Sequence, residues 1–215
     1  SEDTPAMEKV DLAVIARTAT DMLAINAEKN NVTLSYSGSH EYIYANKMMM
    51  EELVYNLTDN AIRYNNKNGS VDVSVNSDGD KVTLRVKDTG IGIPAEHQER
   101  IFERFYRVDK SRSKSTGGTG LGLAIVKHIV ARNNAHLDMV SEPGRGTDIS
   151  VTFDKYRGDG ERYRRNHGML LFTDVKKYNK CYNDSNNKKE PGGSVLARLL
   201  SILVFTHTDF KFENM

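Results

Sequence analysis

A short glycine-containing turn, directly after an alternating strand pattern, most constrains how this chain folds. Residues 82–87 alternate apolar and polar side chains, which is typical of a half-buried strand. The segment 88–94, D-T-G-I-G-I-P, follows, and its proline suits the first turn of a helix over residues 95–100. The pattern predicts a carboxylate at a strand end, beside backbone that a flat ligand can approach. It also fits an ordinary turn that closes a strand, so the turn alone leaves the function open.

Composition and charge exclude several classes of protein. The 215 residues carry a formal net charge of +1 at pH 7, which gives no electrostatic reason to expect a nucleic-acid partner. Cys181 is the only cysteine, so an internal disulfide is excluded and a reducing compartment is expected. No sequence run reaches the roughly 18 apolar residues of a membrane helix, so we expect no direct membrane contact by this fragment.

The spacing of apolar residues predicts a series of helices and strands. Helical spacing covers residues 11–30, 46–64 and 121–133. Strand alternation covers residues 32–36, 41–45, 71–75, 82–87, 136–140 and 148–153. After these elements the chain becomes polar and loses any sustained period. We therefore predict one domain over residues 1–155 and an atypical polar tail over residues 156–215 that is disordered or not a true domain.

The helix predicted over residues 46–64 carries a stripe of oxygen-bearing side chains. Glu52, Asn56 and Asn60 are four residues apart and therefore stack along one face, with Arg63 beside them. Magnesium prefers oxygen ligands and keeps several waters, so this stripe suits a hydrated Mg²⁺ that carries phosphates. A solvated helix face explains the same residues equally well.

Two further segments could meet a phosphate group. Residues 103–107, E-R-F-Y-R, would bring Arg107, or Lys114 farther along, to a nucleotide, although a surface loop pinned by Phe102 and Phe105 is the plainer interpretation. Residues 117–123, G-G-T-G-L-G-L, run into a helix whose N-terminus attracts anions. This segment lacks the G-K-[ST] of a P-loop, and no predicted strand leads into it as a dinucleotide-binding fingerprint requires.

Together these motifs resemble the ATP-binding catalytic domain of bacterial sensor histidine kinases, members of the GHKL ATPase superfamily. Residues 56–64, N-L-T-D-N-A-I-R-Y, are similar to the family's N box, and residues 88–92, D-T-G-I-G, to its G1 box. Residues 101–107, I-F-E-R-F-Y-R, are similar to the F box, and residues 118–123, G-T-G-L-G-L, to the G2 box. All four boxes occur in order, and the resemblance covers about residues 8–154.

The resemblance implies a fold, two ligands and a set of contacts. The fold is a two-layer α/β sandwich of the Bergerat type, in which a mixed sheet has its helices on one face. Asp88 would bind the adenine amino group of ATP, and Asn60 with Asn56 would hold Mg²⁺. Arg63 and Arg107 would approach the phosphates, and residues 110–118 would form a lid. The nucleotide-contacting set is Asn56, Asn60, Arg63, Tyr64, Asp88, Gly90, Gly92, Ile93, Phe105, Arg107, Lys114, Gly118, Thr119, Gly120, Leu121, Gly122 and Leu123.

The resemblance also implies an activity and its partners. Hydrolysing relatives carry a glutamate four residues before the metal-binding asparagine, whereas this chain has Asn56, which is no general base. The expected reaction is therefore transfer of the γ-phosphoryl group to a protein histidine, in two-component signal transduction. The accepting histidine would lie on a dimerisation domain, and the next acceptor would be a response regulator receiver domain.

An acceptor box of the H-E-x-x-x-P type surrounds none of the six histidines, so no catalytic residue is assigned within this sequence. We expect a fragment that binds ATP without phosphorylating itself, a cytoplasmic domain whether or not its full-length parent is membrane-anchored. Two alternatives remain at this point: a gyrase- or chaperone-like ATPase, and a nucleotide-binding interaction module without turnover. The stimulus, the cognate regulator and the oligomeric state cannot be inferred from the sequence.

Overall fold

The computed structural model describes residues 6–108 and 119–158. The helices in these ranges are α1 (Leu12–Lys29), α2 (Lys47–Arg63), α3 (Ala95–Gln98) and α4 (Gly122–Arg132), with a 3₁₀ turn at Arg100–Phe102. The strands are β1 (Glu8–Asp11), β2 (Thr33–Gly38), β3 (Tyr42–Ala45), β4 (Ser70–Asp78), β5 (Lys81–Asp88), β6 (His136–Glu142) and β7 (Gly146–Asp154). Predicted features at residues 109–118, and in the tail beyond residue 158, lie outside these ranges.

A five-stranded mixed sheet with the order β2-β4-β5-β7-β6 forms the base of the fold. The β2–β4 pair is parallel, and the three other pairs are antiparallel. In the β5–β7 pair Val86 lies opposite Ile149, so the C-terminal end of β5 faces the N-terminal end of β7. This register brings the residues that follow β5 next to the turn that precedes β7.

The hydrophobic core lies between one face of this sheet and the helices. Alternate residues of β4 and β5 are buried, while their neighbours along each strand face the other side. Helices α1, α2 and α4 cover the buried face, and α2 contacts both of the other helices. The predicted sandwich, a mixed sheet with helices on one face, is therefore confirmed. Helix α2 therefore packs against the two other helices and against β4 and β5, and these contacts fix its position.

Side-chain caps fix where two of the helices begin. The Asp11 carboxylate accepts hydrogen bonds from the backbone amides of Ala13 (3.1 Å) and Val14 (3.3 Å), at the start of α1. The Asn46 side chain accepts one from the Met49 amide (3.0 Å), at the start of α2. Within the described ranges, no side chain caps the start of α4, whose N-cap is Leu121. An uncapped helix start retains its capacity to bind an anion.

The structure differs from the sequence prediction in three details. Strand β1 was not predicted; it pairs with β3 in a separate two-stranded sheet. Strands β4 and β5 extend beyond the predicted residues 71–75 and 82–87, because pairing continues as far as Asp78 and Lys81. The helix predicted over residues 95–100 is a single turn followed by the 3₁₀ turn, and Pro94 precedes it with φ of −58°.

Lys155 and Tyr156 tie the end of the sheet to β3. Lys155 Nζ lies 2.8 Å from the Glu41 carboxylate, and the Tyr156 amide donates to the Tyr42 carbonyl at 2.7 Å. The hydrogen bond from Lys155, followed by that from Ser77, lowers the pKa of Glu41 below its ordinary value of 4.5. The folded unit thus includes the first residue of the predicted tail.

We therefore expect two truncations of the chain to differ. A chain ending after Gly158 should melt like the parent, whereas one ending after Asp154 should lose about 1–2 kcal/mol of unfolding free energy with these contacts. Because the pKa of Glu41 is lowered, its contribution is present above pH 4.5 and is lost as the pH falls through the folded-state value. Denaturation of both chains at pH 7 and at acid pH measures this, and equal stability at pH 7 would contradict it.

Candidate nucleotide-binding site

A cavity of about 380 Å³ opens between α2, the turn after β5 and the start of α4. Its wall collects residues from separate parts of the chain, including twelve of the predicted site residues. These twelve are Asn56, Asn60, Arg63, Tyr64, Asp88, Gly92, Ile93, Arg107, Thr119, Gly120, Gly122 and Leu123. The volume is within the range of sites that hold small molecules.

Asp88 stands at the C-terminal end of β5 with one carboxylate oxygen anchored by the backbone. Its Oδ1 accepts hydrogen bonds from the amides of Gly90 (2.8 Å) and Thr147 (3.2 Å). Among the described residues, no group donates to Oδ2. Because Asp88 lines the cavity, Oδ2 is the acceptor that it offers to a bound molecule.

Burial raises the pKa of the Asp88 carboxyl above its ordinary value of 3.8. The two backbone donors lower the pKa, and the nearby charge of Asp148 raises it, without overturning the effect of burial. An ionised carboxylate here is thus less well solvated than in water. Such a group gains more than an exposed one would from a ligand that donates a hydrogen bond.

The turn after Asp88 is pressed against the β6–β7 hairpin. Gly92 has φ of +66°, and a Cβ added to it would lie 2.0 Å from the Glu142 carbonyl oxygen, so only glycine fits. The next amide, that of Ile93, donates to Ser141 Oγ at 2.9 Å. Gln98 Nε2 in turn donates to the carbonyls of Ile93 (2.9 Å) and Ser141 (3.0 Å). These contacts fix the turn that forms one side of the cavity.

Helix α2 supplies the polar wall opposite this turn. Asn56 Nδ2 donates to the Glu52 carbonyl at 2.8 Å, so its position is set by its own helix. A Cβ added to Gly122 would lie 2.9 Å from Asn56 Oδ1 and 3.3 Å from Asn60 Nδ2. The glycine at the start of α4 therefore lets both amides and the helix N-terminus share one space. Glu52, the third member of the predicted stripe, does not line the cavity.

Amide and backbone groups, and not a carboxylate cluster, dominate this part of the wall. Within the described ranges, no group of three His, Cys, Asp or Glu side chains could hold a metal ion. Asn56 Oδ1 and the side-chain amide of Asn60 lie beside the space that Gly122 leaves, and side-chain amide groups fit a hydrated Mg²⁺ that binds through few protein ligands.

The segment before the undescribed residues 109–118 contributes Arg107 from the remaining side. Tyr106 is held by its hydroxyl, 2.7 Å from His97 Nδ1, and by Arg100, whose Cζ lies 4.3 Å from the centre of its ring. The Phe105 amide donates to the Gly120 carbonyl at 2.9 Å, which joins this segment to the start of α4. Arg107 follows directly and lines the cavity.

Three predicted contact residues are not part of the cavity wall. Phe105 is 71% exposed, because backbone at φ +63° and the bond to Gly120 direct its side chain outward. Gly90 follows Asp88 in the turn, and its amide donates a hydrogen bond to the Asp88 carboxylate. Leu121 lies just before α4, and its carbonyl accepts a hydrogen bond from the Ile125 amide. These residues therefore position the wall and do not form it. The predicted contacts Lys114 and Gly118 lie outside the described residues.

The sequence did not predict the residues of β5 and β7 that complete the cavity wall. Thr147 holds Asp88 through its backbone amide, which no side-chain pattern reveals. Val86 and Ile149 form an apolar part of the wall as a cross-strand pair. A strand was predicted over residues 148–153, but only the β5–β7 register places Ile149 beside Val86.

Comparison with known families identifies this arrangement. Residues 45–157 match the family described as histidine kinase-, DNA gyrase B-, and HSP90-like ATPase, which covers more than half of the chain and contains most of the cavity wall. The chain belongs to this ATPase family. The expected resemblance is thereby confirmed, and the family's description implies ATP as the nucleotide. Within the described ranges, no helix is both long and apolar enough to cross a membrane.

Similar proteins of this family are sensor histidine kinases. The chain is 36% identical over 157 residues to the sensor-like histidine kinase SenX3 of Mycolicibacterium smegmatis. The aligned residues cover 73% of this chain and 41% of that protein. The chain is 35% identical over 154 residues to the sensor histidine kinase YkoH of Bacillus subtilis, covering 72% of this chain and 33% of that one. The matched residues thus span less than half the length of these two relatives.

Solved structures agree on the fold. The histidine kinase ShkA, solved at full length in complex with AMPPNP, has a TM-score of 0.62 and 24% sequence identity. The match covers 74% of this chain and 33% of that chain. At this identity the likeness shows a shared fold.

The cost of burying Asp88 predicts how its isosteric substitution affects stability. In Asp88→Asn the amide oxygen still accepts from Gly90 and Thr147, while the buried charge is removed. When the pKa of a carboxyl group is higher in the folded state than in the unfolded state, the protein becomes less stable as the pH rises from the unfolded-state pKa through the folded-state pKa. At pH 7 the variant should therefore be as stable as the parent or more stable, and the parent should gain relative to it on acidification. Urea denaturation at both pH values measures this, and a clearly less stable variant at pH 7 would contradict it.

Proposed function

We propose that this domain is the ATP-binding catalytic part of a sensor histidine kinase, and that it transfers the γ-phosphoryl group of ATP to a histidine on a separate dimerisation domain. The observation that carries the proposal is the single cavity that joins Asp88, the α2 amides and the glycines before α4. The 36% and 35% identical relatives, both sensor histidine kinases, support it. A response regulator receiver domain would then take the phosphoryl group from the histidine.

The adenine end of the nucleotide is assigned to Asp88. Its Oδ2 would accept a hydrogen bond from the adenine amino group, while Oδ1 stays on Gly90 and Thr147. The apolar pair Val86 and Ile149 lies on the same wall and suits a base. Guanine has a carbonyl oxygen where adenine has the amino group, and two acceptors would then face each other without a hydrogen-bond donor. This end of the cavity therefore discriminates against guanine.

The phosphate end is assigned to α2, Arg107 and the start of α4. Arg63 and Arg107 both line the cavity and supply positive charge. Gly120 and Gly122 bring backbone close to the same space, at a helix start without a side-chain cap. A bound Mg²⁺, held by Asn60 and Asn56, would neutralise phosphate charge. The protein's contribution is then positioning and electrostatic stabilisation.

The positions of the acidic residues in the cavity favour phosphoryl transfer over ATP hydrolysis, because neither is available as a general base. Within the described ranges, only Asp59 and Asp88 carry carboxylates on the wall. Asp59 lies 2.6 Å from Arg63 Nε, and Asp88 is at the adenine end. Neither is placed to activate water, and Asn56 cannot act as a base. We also propose a cytoplasmic location for this domain, because ATP is available there and a chain with a single cysteine suits a reducing compartment.

Labelled ATP distinguishes this function from its alternatives. The full chain is incubated with γ-labelled ATP, Mg²⁺ and a histidine-bearing hairpin taken from a sensor histidine kinase. Label on the hairpin is expected, and release of inorganic phosphate alone would instead indicate a gyrase-like ATPase. Binding with neither outcome would indicate an interaction module.

The Asp88→Asn variant is the specific control for this assay. It turns an acceptor into a donor that faces the adenine amino group, so its ATP affinity should fall about 10- to 100-fold. Unchanged affinity would refute the adenine assignment.

The metal assignment predicts a selective effect of Asn60→Ala. ATP affinity in the presence of Mg²⁺ should fall about tenfold or more, whereas affinity in EDTA should change little, because only the metal-bound state loses a ligand. Calorimetric titration with and without the metal measures both values. Asn76→Ala is the matched control, since Asn76 is an exposed asparagine of β4 that does not line the cavity. Equal losses in both buffers would count against a ligand role.

A further inference from the structure

Arg63 is held at the cavity wall by a polar chain that begins on a different helix. Asp59 lies one turn earlier on α2, and its Oδ2 is 2.6 Å from Arg63 Nε. Its other oxygen, Oδ1, accepts a hydrogen bond from Asn26 Nδ2 of α1 at 3.2 Å. Asn26 Oδ1 in turn accepts from Asn30 Nδ2 at 3.3 Å, which fixes the orientation of the Asn26 amide. Each oxygen of Asp59 therefore has its own partner.

The burial of this pair distinguishes it from a surface ion pair. The Asp59 side chain is 13% exposed and that of Arg63 is 34% exposed. The other ion pair on α2, between Lys47 and Glu51, also has (i, i+4) spacing, but it is longer at 3.8 Å and both side chains are more than half exposed. Exposed pairs of this kind are readily broken by water, whereas a buried carboxylate with two fixed partners restricts the arginine that it binds.

We propose that Asp59, oriented by Asn26, is a positioning residue that holds Arg63 in the geometry in which it binds the phosphates of the nucleotide. This rests on the proposed function, because it assigns a role within the same ATP site. The ion pair with Asp59 is made through Nε, and the terminal nitrogens of a guanidinium are the groups that donate in pairs to phosphate oxygens.

Pre-ordering is the physical basis of this role. An arginine side chain loses considerable rotamer entropy when it is fixed on a ligand. An arginine already restrained by Asp59 has lost part of that freedom before the nucleotide binds. The Asp59 charge also opposes the phosphate charge, but its ion pair offsets that charge locally. These two effects of Asp59 on ATP affinity have opposite signs. If the restraint on Arg63 outweighs the repulsion of the phosphates, removing Asp59 weakens ATP binding.

Comparing ATP with adenosine tests the inference, since adenosine has no phosphates for Arg63 to bind. The variants Asp59→Ala, Asn26→Ala, Arg63→Ala and the double variant Asp59→Ala/Arg63→Ala are titrated with both ligands in the full chain. We expect Asp59→Ala to lower ATP affinity about fivefold to twentyfold, with adenosine affinity unchanged. Asn26→Ala should have the same selectivity with a smaller loss. In the double variant the losses should not add, because the two residues act as one unit.

Two controls separate positioning from a structural role. Glu51→Ala breaks the exposed ion pair on the same helix and should leave both affinities at the parent value. Asp59→Asn keeps the shape and the acceptor for Asn26 but loses the charge that holds Arg63, so it should lose ATP affinity while its melting temperature stays closer to that of the parent than that of Asp59→Ala.

The possible outcomes either support or overturn the inference. A loss confined to ATP, and absent when Arg63 is already alanine, supports it. Equal losses of affinity for ATP and adenosine would assign Asp59 to the fold alone. Unchanged ATP binding by Asp59→Ala would show that Asp59 does not position Arg63, and tighter binding would show that the carboxylate competes with the phosphates. Failure of the parent chain to bind ATP would instead overturn the proposed function, which keeps the two failures distinct.

Discussion

The site depends on two backbone amides that meet one carboxylate oxygen. Gly90 and Thr147 are far apart in the sequence, yet both donate to Asp88 Oδ1. Their convergence requires β7 to pair with β5 in one register and the turn after β5 to lie against the β6–β7 hairpin. Removing the Thr147 contact would leave the carboxylate oriented only by its own turn. The sheet therefore determines which oxygen of Asp88 a ligand meets.

This arrangement explains why a half-buried acid is tolerated at the end of a central strand. Burial disfavours its charged form, and the backbone donors compensate for only part of the lost hydration. The fold thus retains a destabilising group whose second oxygen is unsatisfied within the described part of the chain. Such incomplete satisfaction is typical of binding sites, where the missing hydrogen bond comes from the ligand.

The sequence predicted most of the fold and about half of the residues that line the cavity, for identifiable reasons. Alternation in β4 and β5 and the helical spacing of α2 are local signals, so the strands, the central helix and residues such as Asp88 and Asn60 could be located in advance. Thr147, Ser141 and Gln98 could not, because they act through pairing register, a backbone amide or a carbonyl contact. Phe105 does not line the cavity, and the F-box motif does not reveal that its backbone lies at positive φ.

The pairing of β5 with β7 also bears on how the chain reaches its native state. The β4–β5 hairpin joins neighbouring segments, whereas β7 is separated from β5 by α3, α4 and β6. Contacts between distant segments form slowly because they require closure of a long loop, so the hairpin is expected to precede the docking of β7. Until β7 arrives, Asp88 remains hydrated and its Thr147 contact is absent. Competence to bind a ligand is therefore expected to be acquired late, an order that pulsed hydrogen exchange during refolding would reveal.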